Sequence, residues 1–493
     1  MSDYQGPQSG WGAPGAPSQP SQPGQIPPPP PPGGPWAPGP VPPVPPVGPG
    51  GVPPTQWMSG PGGSYVAPKP KGGKGKIVGA AIAAVAVLGA GAFAAVQLTG
   101  GSGSSGGSDS PEAAVQSMFD ALEQNDIVGM LDHLAPGERE VIKDQVTDLV
   151  NEGKRLGLLS DDTTLDNVPG FTVDFEGLEY DIEERNDRVS MVTLTAGSVT
   201  ASGSFSDLPM GDVILDQVGD EIPPDAPEET FDIADVVDEG GSLPQVGVVE
   251  QDGKWYVSAF YTSAELAAVA GGYTMPDEPI AAVGAASPED AVTEMVEAAF
   301  SADVERVIEL TPPDEMAALH DYGQILVDMA AEQVPPGESV LGSDFELTID
   351  GYEFETTDVT GGTKVLPTHV AFTVTGTNDS EGDGGTVEVT KVDDTCVEYS
   401  IVGTEDGEPL DQSGRYCADD VRPPLEEEGT PSEVIDIAVR MTGQLGQLGV
   451  VTVEVDGEWY VSPSRTLYDP LIVAARGLER GDIDILVDYF TNG

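Results

Sequence analysis

The 493-residue chain carries 84 acidic and 20 basic side chains, a formal charge of −64, with 63 glycines, 46 prolines and two cysteines. Four lysines and one acid (Asp3) fall in residues 1–98, which leaves 16 basic against 83 acidic groups in the remainder. A field of that sign repels nucleic acid and anionic lipid head groups, so nucleic-acid binding is excluded as a role, and the length leaves room for two or three domains.

Residues 1–76 open the chain as a Pro/Gly-rich tail, with an unbroken run at Pro27–Pro32 and PPVPPV at Pro42–Val47. Such a segment cannot bury a core and is expected to be disordered, sampling extended polyproline II. Two readings of it stand side by side: a docking tail for a cytoplasmic partner that reads Pro-rich segments, and a passive tail. Ile77–Leu98 follows, an uncharged apolar stretch long enough for one membrane-spanning helix. Lys69, Lys71, Lys74 and Lys76 flank it on one side only, which places the N-terminus in the cytoplasm and everything after Leu98 outside. A cleaved signal peptide fits less well, since its apolar core is shorter and starts nearer the N-terminus. Gly79/Ala83 and Gly91/Ala95 have the small-residue spacing that lets two such helices approach, a route to self-association; an Ala/Gly-rich coding bias explains them equally well. Residues 99–109 read as a flexible Gly/Ser linker.

The outer part repeats itself. Ser110-Pro111-Glu112-x-Ala114-Val115-x-x-Met118 matches Ser287-Pro288-Glu289-x-Ala291-Val292-x-x-Met295. The register runs on without a gap through Asp126/Asp303 and Pro136/Pro313 to Glu138/Glu315. Farther along, Phe171…Tyr180 answers Phe345…Phe354, and Asp232-Ile233-Ala234 answers Asp436-Ile437-Ala438. Asp252-Gly253-Lys254-Trp255-Tyr256-Val257-Ser258 answers Asp456-Gly457-Glu458-Trp459-Tyr460-Val461-Ser462. Collinear blocks of this kind predict two tandem copies of one domain, residues 110–275 and 287–493, joined by a linker at 276–286.

Each copy reads as helices first and a sheet afterwards, an α+β domain. Ser110 or Ser287 caps the first helix, with Pro in its first turn and Glu at its positive end. Asp126 or Asp303 starts a short second helix, and a third follows the Pro. Alternation at Phe171-Val173-Phe175 and Phe345-Leu347-Ile349 marks strands, and an Asp-Gly hairpin closes the copy. Leu478–Ile483 resembles Leu122–Ile127 and leads a final amphipathic helix expected to pack on the second copy. The second copy is longer between its middle and last blocks, and Cys396 and Cys417 fall in that insertion. An even pair outside the cytoplasm is expected to form a disulfide there, not a metal site, because no Cys-x-x-Cys or nearby His accompanies it.

The SPE-x-A-V helix, the short helix after Asp, the sheet and the closing DG-x-WYVS strand resemble the nuclear-transport-factor-like (cystatin-like) superfamily, in particular membrane-anchored bacterial, actinobacterial, envelope forms. That resemblance implies a sheet curled around the first helix as a cone, which in some members holds a ligand. Two copies behind one anchor also resemble assembly proteins of Gram-positive conjugation systems and proteins associated with mycobacterial lipid importers.

Catalytic chemistry is not expected. His133 has Leu310 as its counterpart, His320 sits in a helix, and His369 sits in an alternating strand. No nucleophile elbow, phosphate loop, zinc motif or EF-hand spacing is present, and no cofactor is implied. The Asp/Gly run Asn378–Gly385 has the acids for weak calcium binding, but its spacing matches no Ca²⁺ loop, and a solvated hairpin tip is the favoured reading. Trp255, Tyr256, Trp459 and Tyr460 are core residues of the closing hairpins or, alternatively, line a cavity mouth. The reading is thus a non-catalytic single-pass membrane protein whose acidic extracytoplasmic repeats bind a protein partner or small ligand in the envelope. The alternatives are a subunit of a secretion, conjugation or lipid-import machine and, least favoured, a small enzyme acting in the cone.

Overall fold

The computed structural model describes residues 106–164, 170–218, 226–238, 242–333, 345–376, 384–405 and 407–492. The tail 1–76, the span Ile77–Leu98 and the linker up to residue 105 lie outside the described residues, as does most of the Asn378–Gly385 run. Among the described residues, no helix is long and apolar enough to cross a membrane.

Local signals set the helix starts. The Ser110 hydroxyl accepts from Ala113 N at 3.2 Å and opens α1, Pro111–Glu123; Asp126 accepts from Gly129 N at 2.8 Å and opens α2, Ile127–Asp132. Ser287 and Asp303 repeat this for the second copy, at Asp290 N (3.0 Å) and Arg306 N (3.1 Å). The first copy continues with α3 (Pro136–Arg155), β1 (Phe171–Glu184), β2 (Val189–Gly203), α4 (Asp212–Val218), β3 (Ala226–Asp232), α5 (Ile233–Asp238), β4 (Gln245–Gln251), β5 (Lys254–Ser258) and α6 (Ala259–Gly271). The second runs α7 (Pro288–Phe300), α8 (Val304–Glu309), α9 (Ala317–Gln333), β6 (Phe345–Val359), β7 (Gly362–Gly376), β8 (Gly384–Asp393), β9 (Cys396–Glu405), β10 (Glu408–Cys417), α10 (Arg422–Glu427), α11 (Ser432–Gly443), β11 (Val450–Val455), β12 (Glu458–Val461), α12 (Pro463–Arg476) and α13 (Asp482–Asn492). Helix α9 starts at Ala317, one turn beyond the proline at which a third helix is expected.

Both sheets are antiparallel and share one branching pattern. β1 lines one edge of β2 along its length, whereas the other edge is divided between β4, facing Val189–Thr193, and β3, facing Ser198–Gly203. In the second sheet β6 lines β7, whose other edge is divided between β11 (Thr363–Val365) and β8 (His369–Thr375). The closing turns place Asp252 and Gly253, and likewise Asp456 and Gly457, at positive φ, the geometry a two-residue hairpin needs. The second copy then adds the β9–β10 hairpin and α10 before rejoining the common order at α11, so the extra length is two strands on the sheet's rim.

Neither copy ends with its hairpin, as the sequence pattern suggested. A further helix follows each, capped by Ser258 or Ser462, and these helices join the copies. α6 packs on α9, and α12 packs on α3; since α6 corresponds to α12 and α3 to α9, the seam has an approximate two-fold axis. Gly137 and its counterpart Asp314 meet there: a Cβ on Gly137 would lie 2.8 Å from Glu315 N and closer still to the Asp314 carbonyl. The seam core holds Val189, Val249, Tyr256, Tyr261, Ala268, Ala318 and Tyr322. Helix α13 packs on α11 of the second copy and also reaches α4 of the first, with Arg480 ion-paired to Asp212.

Candidate functional site

The aromatic residues singled out from the hairpins divide between two surroundings, because successive strand side chains face opposite ways. Trp255 is half-buried against the first core, among Val115, Phe119, Val192, Leu194, Val248 and Val257. Trp459 packs in the same way on Ala291, Val292, Leu310, Val365 and Val461. Tyr256 points instead into the seam core, and Tyr460 is buried with its hydroxyl donating to Glu458 at 2.9 Å. Burial pushes the Tyr460 phenol up, and the Glu458 carboxylate adds to that. The space under the first helix is occupied by the chain's own side chains, including stacked Phe119 and Phe175 rings 4.5 Å apart; in the second copy Tyr352 and Phe354 stack at 5.5 Å.

The histidines have separate partners. His133 Nδ1 meets the Gly106 carbonyl at 2.8 Å, and His369 Nδ1 meets Thr390 Oγ1 at 2.8 Å. His320 is buried between the Ile280 carbonyl (2.9 Å) and Thr311.

Buried carboxylates lie at and beside the seam. Glu138 accepts from the Ser258 hydroxyl and from Ala259 N at 2.8 Å, so it covers the first turn of α6. Burial pushes its carboxyl up to about 7, against the lowering effect of Ser258 and the Ala259 and Phe260 amides. Glu315 repeats the contact, accepting from Ser462 Oγ at 2.6 Å, and adds Arg465 at 2.7 Å; burial again raises it. Here lies the reason that Glu138/Glu315 and Ser258/Ser462 both recur: each pair ties a helix start to α3 or to the turn that leads into α9. Across the seam, Tyr261 donates to Asp321 at 2.6 Å, and Arg465 donates to Asp144 at 3.0 Å. Asp144 and Asp321 are counterparts, as are Tyr261 and Arg465, so the two-fold relation extends to single hydrogen bonds. Tyr322 and Arg185 converge on Glu265 at 2.5 and 2.7 Å. Arg465 Nε is buried without a hydrogen-bond partner, and the remaining contacts of these groups hold the copies together.

Open space occurs at the root of the insertion. Cys396 and Cys417 form a disulfide between directly opposed residues of β9 and β10, with Cα atoms 4.1 Å apart. A groove of about 480 Å³ lies on one side of it, between Cys417–Asp419, helix α11 (Val439, Arg440, Gly443) and Arg476–Glu479. Arg440 is held by Asp482 at 2.5 Å, and its Nε is buried without a hydrogen-bond partner. A second groove of about 260 Å³ lies on the other side, lined by Val370, Val389, Val397, Tyr416, Leu445 and Leu448, with the polar His369, Lys391, Asp393 and Asp394 also in its lining.

That apolar groove continues onto one face of the sheet. Cross-strand neighbours share a face, so the pairs Phe372/Val387, Val370/Val389, Val387/Ile401, Val389/Tyr399 and Val397/Tyr416 form a single apolar surface over β7–β10. Tyr399 is 37% exposed, Tyr416 45% and Leu445 56%. The first copy stops at β3 and has no equivalent of the β9–β10 part. Reasoning from sequence located the disulfide but missed this surface; its signal was the alternation Val397-x-Tyr399-x-Ile401 inside the stretch without a counterpart. Among the described residues, no group of three or more His, Cys, Asp or Glu side chains is placed to hold a metal ion.

No family model matches the chain, and no curated protein matches it. Among solved structures it is similar to an "Ntf2 like protein involved in plasmid conjugation", at 12% identity over 55% of this chain and 88% of that one. The TM-score is 0.12.

Proposed function

We propose that this chain is a non-catalytic, membrane-anchored module of the cell envelope, whose two cone-type repeats form a rigid body and whose inserted hairpin binds a protein partner. One observation carries the reading: the inserted hairpin of the second copy presents an apolar groove and sheet face, with Tyr399, Tyr416 and Leu445 turned to solvent beside the disulfide. The opposed helices, the buried Tyr261–Asp321 contact and the half-buried Arg465–Asp144 contact support rigidity, so the partner meets a preformed surface. The anchored topology rests on Ile77–Leu98 and its one-sided lysines.

A photo-crosslinking side chain at Leu445, introduced into the full chain in intact cells, tests this. A discrete protein adduct from Leu445, absent from Ile182 on the first copy and lost with Tyr416→Asp, is the expected result. Adducts from neither position, or equally from both, would overturn the reading. The narrower assignment, a subunit of a secretion, conjugation or lipid-import machine, follows from two copies behind one anchor. Loss of the corresponding transfer activity on deletion of 110–493 supports it, and unchanged transfer removes it.

A further inference from the structure

The insertion also determines how the second sheet ends. Strand β10 is its terminal strand, and among the described residues no strand pairs with its outer edge. Long free edges invite pairing, and proteins blunt them with bulges and like charges. β1 and β6 are treated in that way. Both carry register shifts, and both are strongly acidic: Asp174, Glu176, Glu179, Asp181, Glu183 and Glu184 on β1, with a similar series on β6. β10 is not. It runs from Glu408 to Cys417 in unbroken register, and its middle carries one acid, Asp411, and one base, Arg415, around Ser413.

Hydrogen-bonding direction alternates along such a strand. The 4.1 Å Cα separation of Cys417 and Cys396 marks a pair whose amides point away from each other, and Cys417 N accordingly bonds outward to Asp420 at 2.7 Å. By the same alternation Asp411, Ser413 and Arg415 turn their N–H and C=O groups outward. We propose that β10 pairs antiparallel with β10 of a second copy of this chain about a two-fold axis at Ser413.

In that register Asp411 of each copy faces Arg415 of the other, twice over, and Leu410 faces Tyr416 on the apolar face. Pro409, which has no N–H to give, falls opposite Cys417, whose N–H is already used. Arg415 is about half exposed, and its partner in its own sheet, Asp393, lies 3.8 Å away, which leaves the guanidinium accessible. The Tyr399 ring already lies over Gly414, where a Cβ would come within 2.8 Å of its hydroxyl, so the edge glycine is covered from the apolar side. The result is a continuous sheet through both copies that doubles the apolar face. This goes beyond the partner-binding role and does not depend on it.

The test uses the full chain in detergent. Directly opposed hydrogen-bonded residues have Cα atoms about 5.5 Å apart, within disulfide reach. S413C is expected to give an oxidised species of twice the 51.0 kDa chain, whereas S400C, one strand inward, gives none. D411R or R415D alone places like charges opposite each other twice and is expected to weaken association roughly tenfold in sedimentation. D411R/R415D together should restore it. Monomers throughout would overturn the proposal. So would a dimer that ignores the reversals and does not crosslink at Ser413, which would assign association to another surface such as the apolar stretch Ile77–Leu98.

Discussion

Replacing Glu138 by Gln probes the balance that holds the start of α6. Glu138 is 3% exposed and accepts from Ser258 and the Ala259 amide, yet burial raises its carboxyl to about 7 from the ordinary 4.5. The folded chain therefore keeps a proton that the unfolded chain has released between those values. The corresponding stability is fully present below about pH 4.5, falls as the pH rises to 7, and is gone above it. The gap between the two values corresponds to roughly 3 kcal/mol. Gln cannot ionise, so Glu138→Gln removes this contribution while the other carboxylates, Glu315 included, cancel in the comparison. Urea unfolding followed by circular dichroism, for both proteins between pH 4.5 and 8, should show wild type losing about 3 kcal/mol relative to the variant. Parallel curves would refute the reasoning. A wild type that gains on the variant with rising pH would show that the three donors and the helix dipole outweigh burial.

Gly137→Ala pushes a methyl into the Asp314 backbone at the seam, and should cost about 1–3 kcal/mol, read as a lowered melting temperature. Arg465→Met leaves Glu315 and Asp144 without their shared cation in a nearly buried site; a loss of about 3–5 kcal/mol is expected, partly recovered at acid pH as the Glu315 carboxyl, already raised by burial, protonates. Reducing Cys396–Cys417, which closes a short loop, should release about 3 kcal/mol of constraint. Hydrogen exchange should then rise in β9 and β10 and stay unchanged in β1–β5; an equal rise in both would show that the hairpin is not a separate staple. Protease added to intact cells should cut the β9–β10 turn and spare residues 1–76 if the chain is oriented as its lysines indicate.

Much of each copy is determined within a few residues. Ser110, Asp126, Ser287 and Asp303 act through their own first turns, and Asp-Gly at 252–253 and 456–457 acts through backbone conformation alone, so these features are legible in the sequence. The disulfide was legible too, because its partners are the two cysteines of one hairpin. Repetition marked Glu138/Glu315 and Ser258/Ser462 as important without saying why, since the hydrogen bond joining them spans 120 residues in one copy and 147 in the other. Asp144 and Asp321 gave no signal at all: their roles depend on which helix faces meet. The seam, the divided edges of β2 and β7, and the free edge of β10 are long-range choices, made by packing surfaces that no local pattern specifies. The sequence by itself determined the turns, caps and duplication of this protein; only the tertiary structure decided how the copies face each other and which strand is left open.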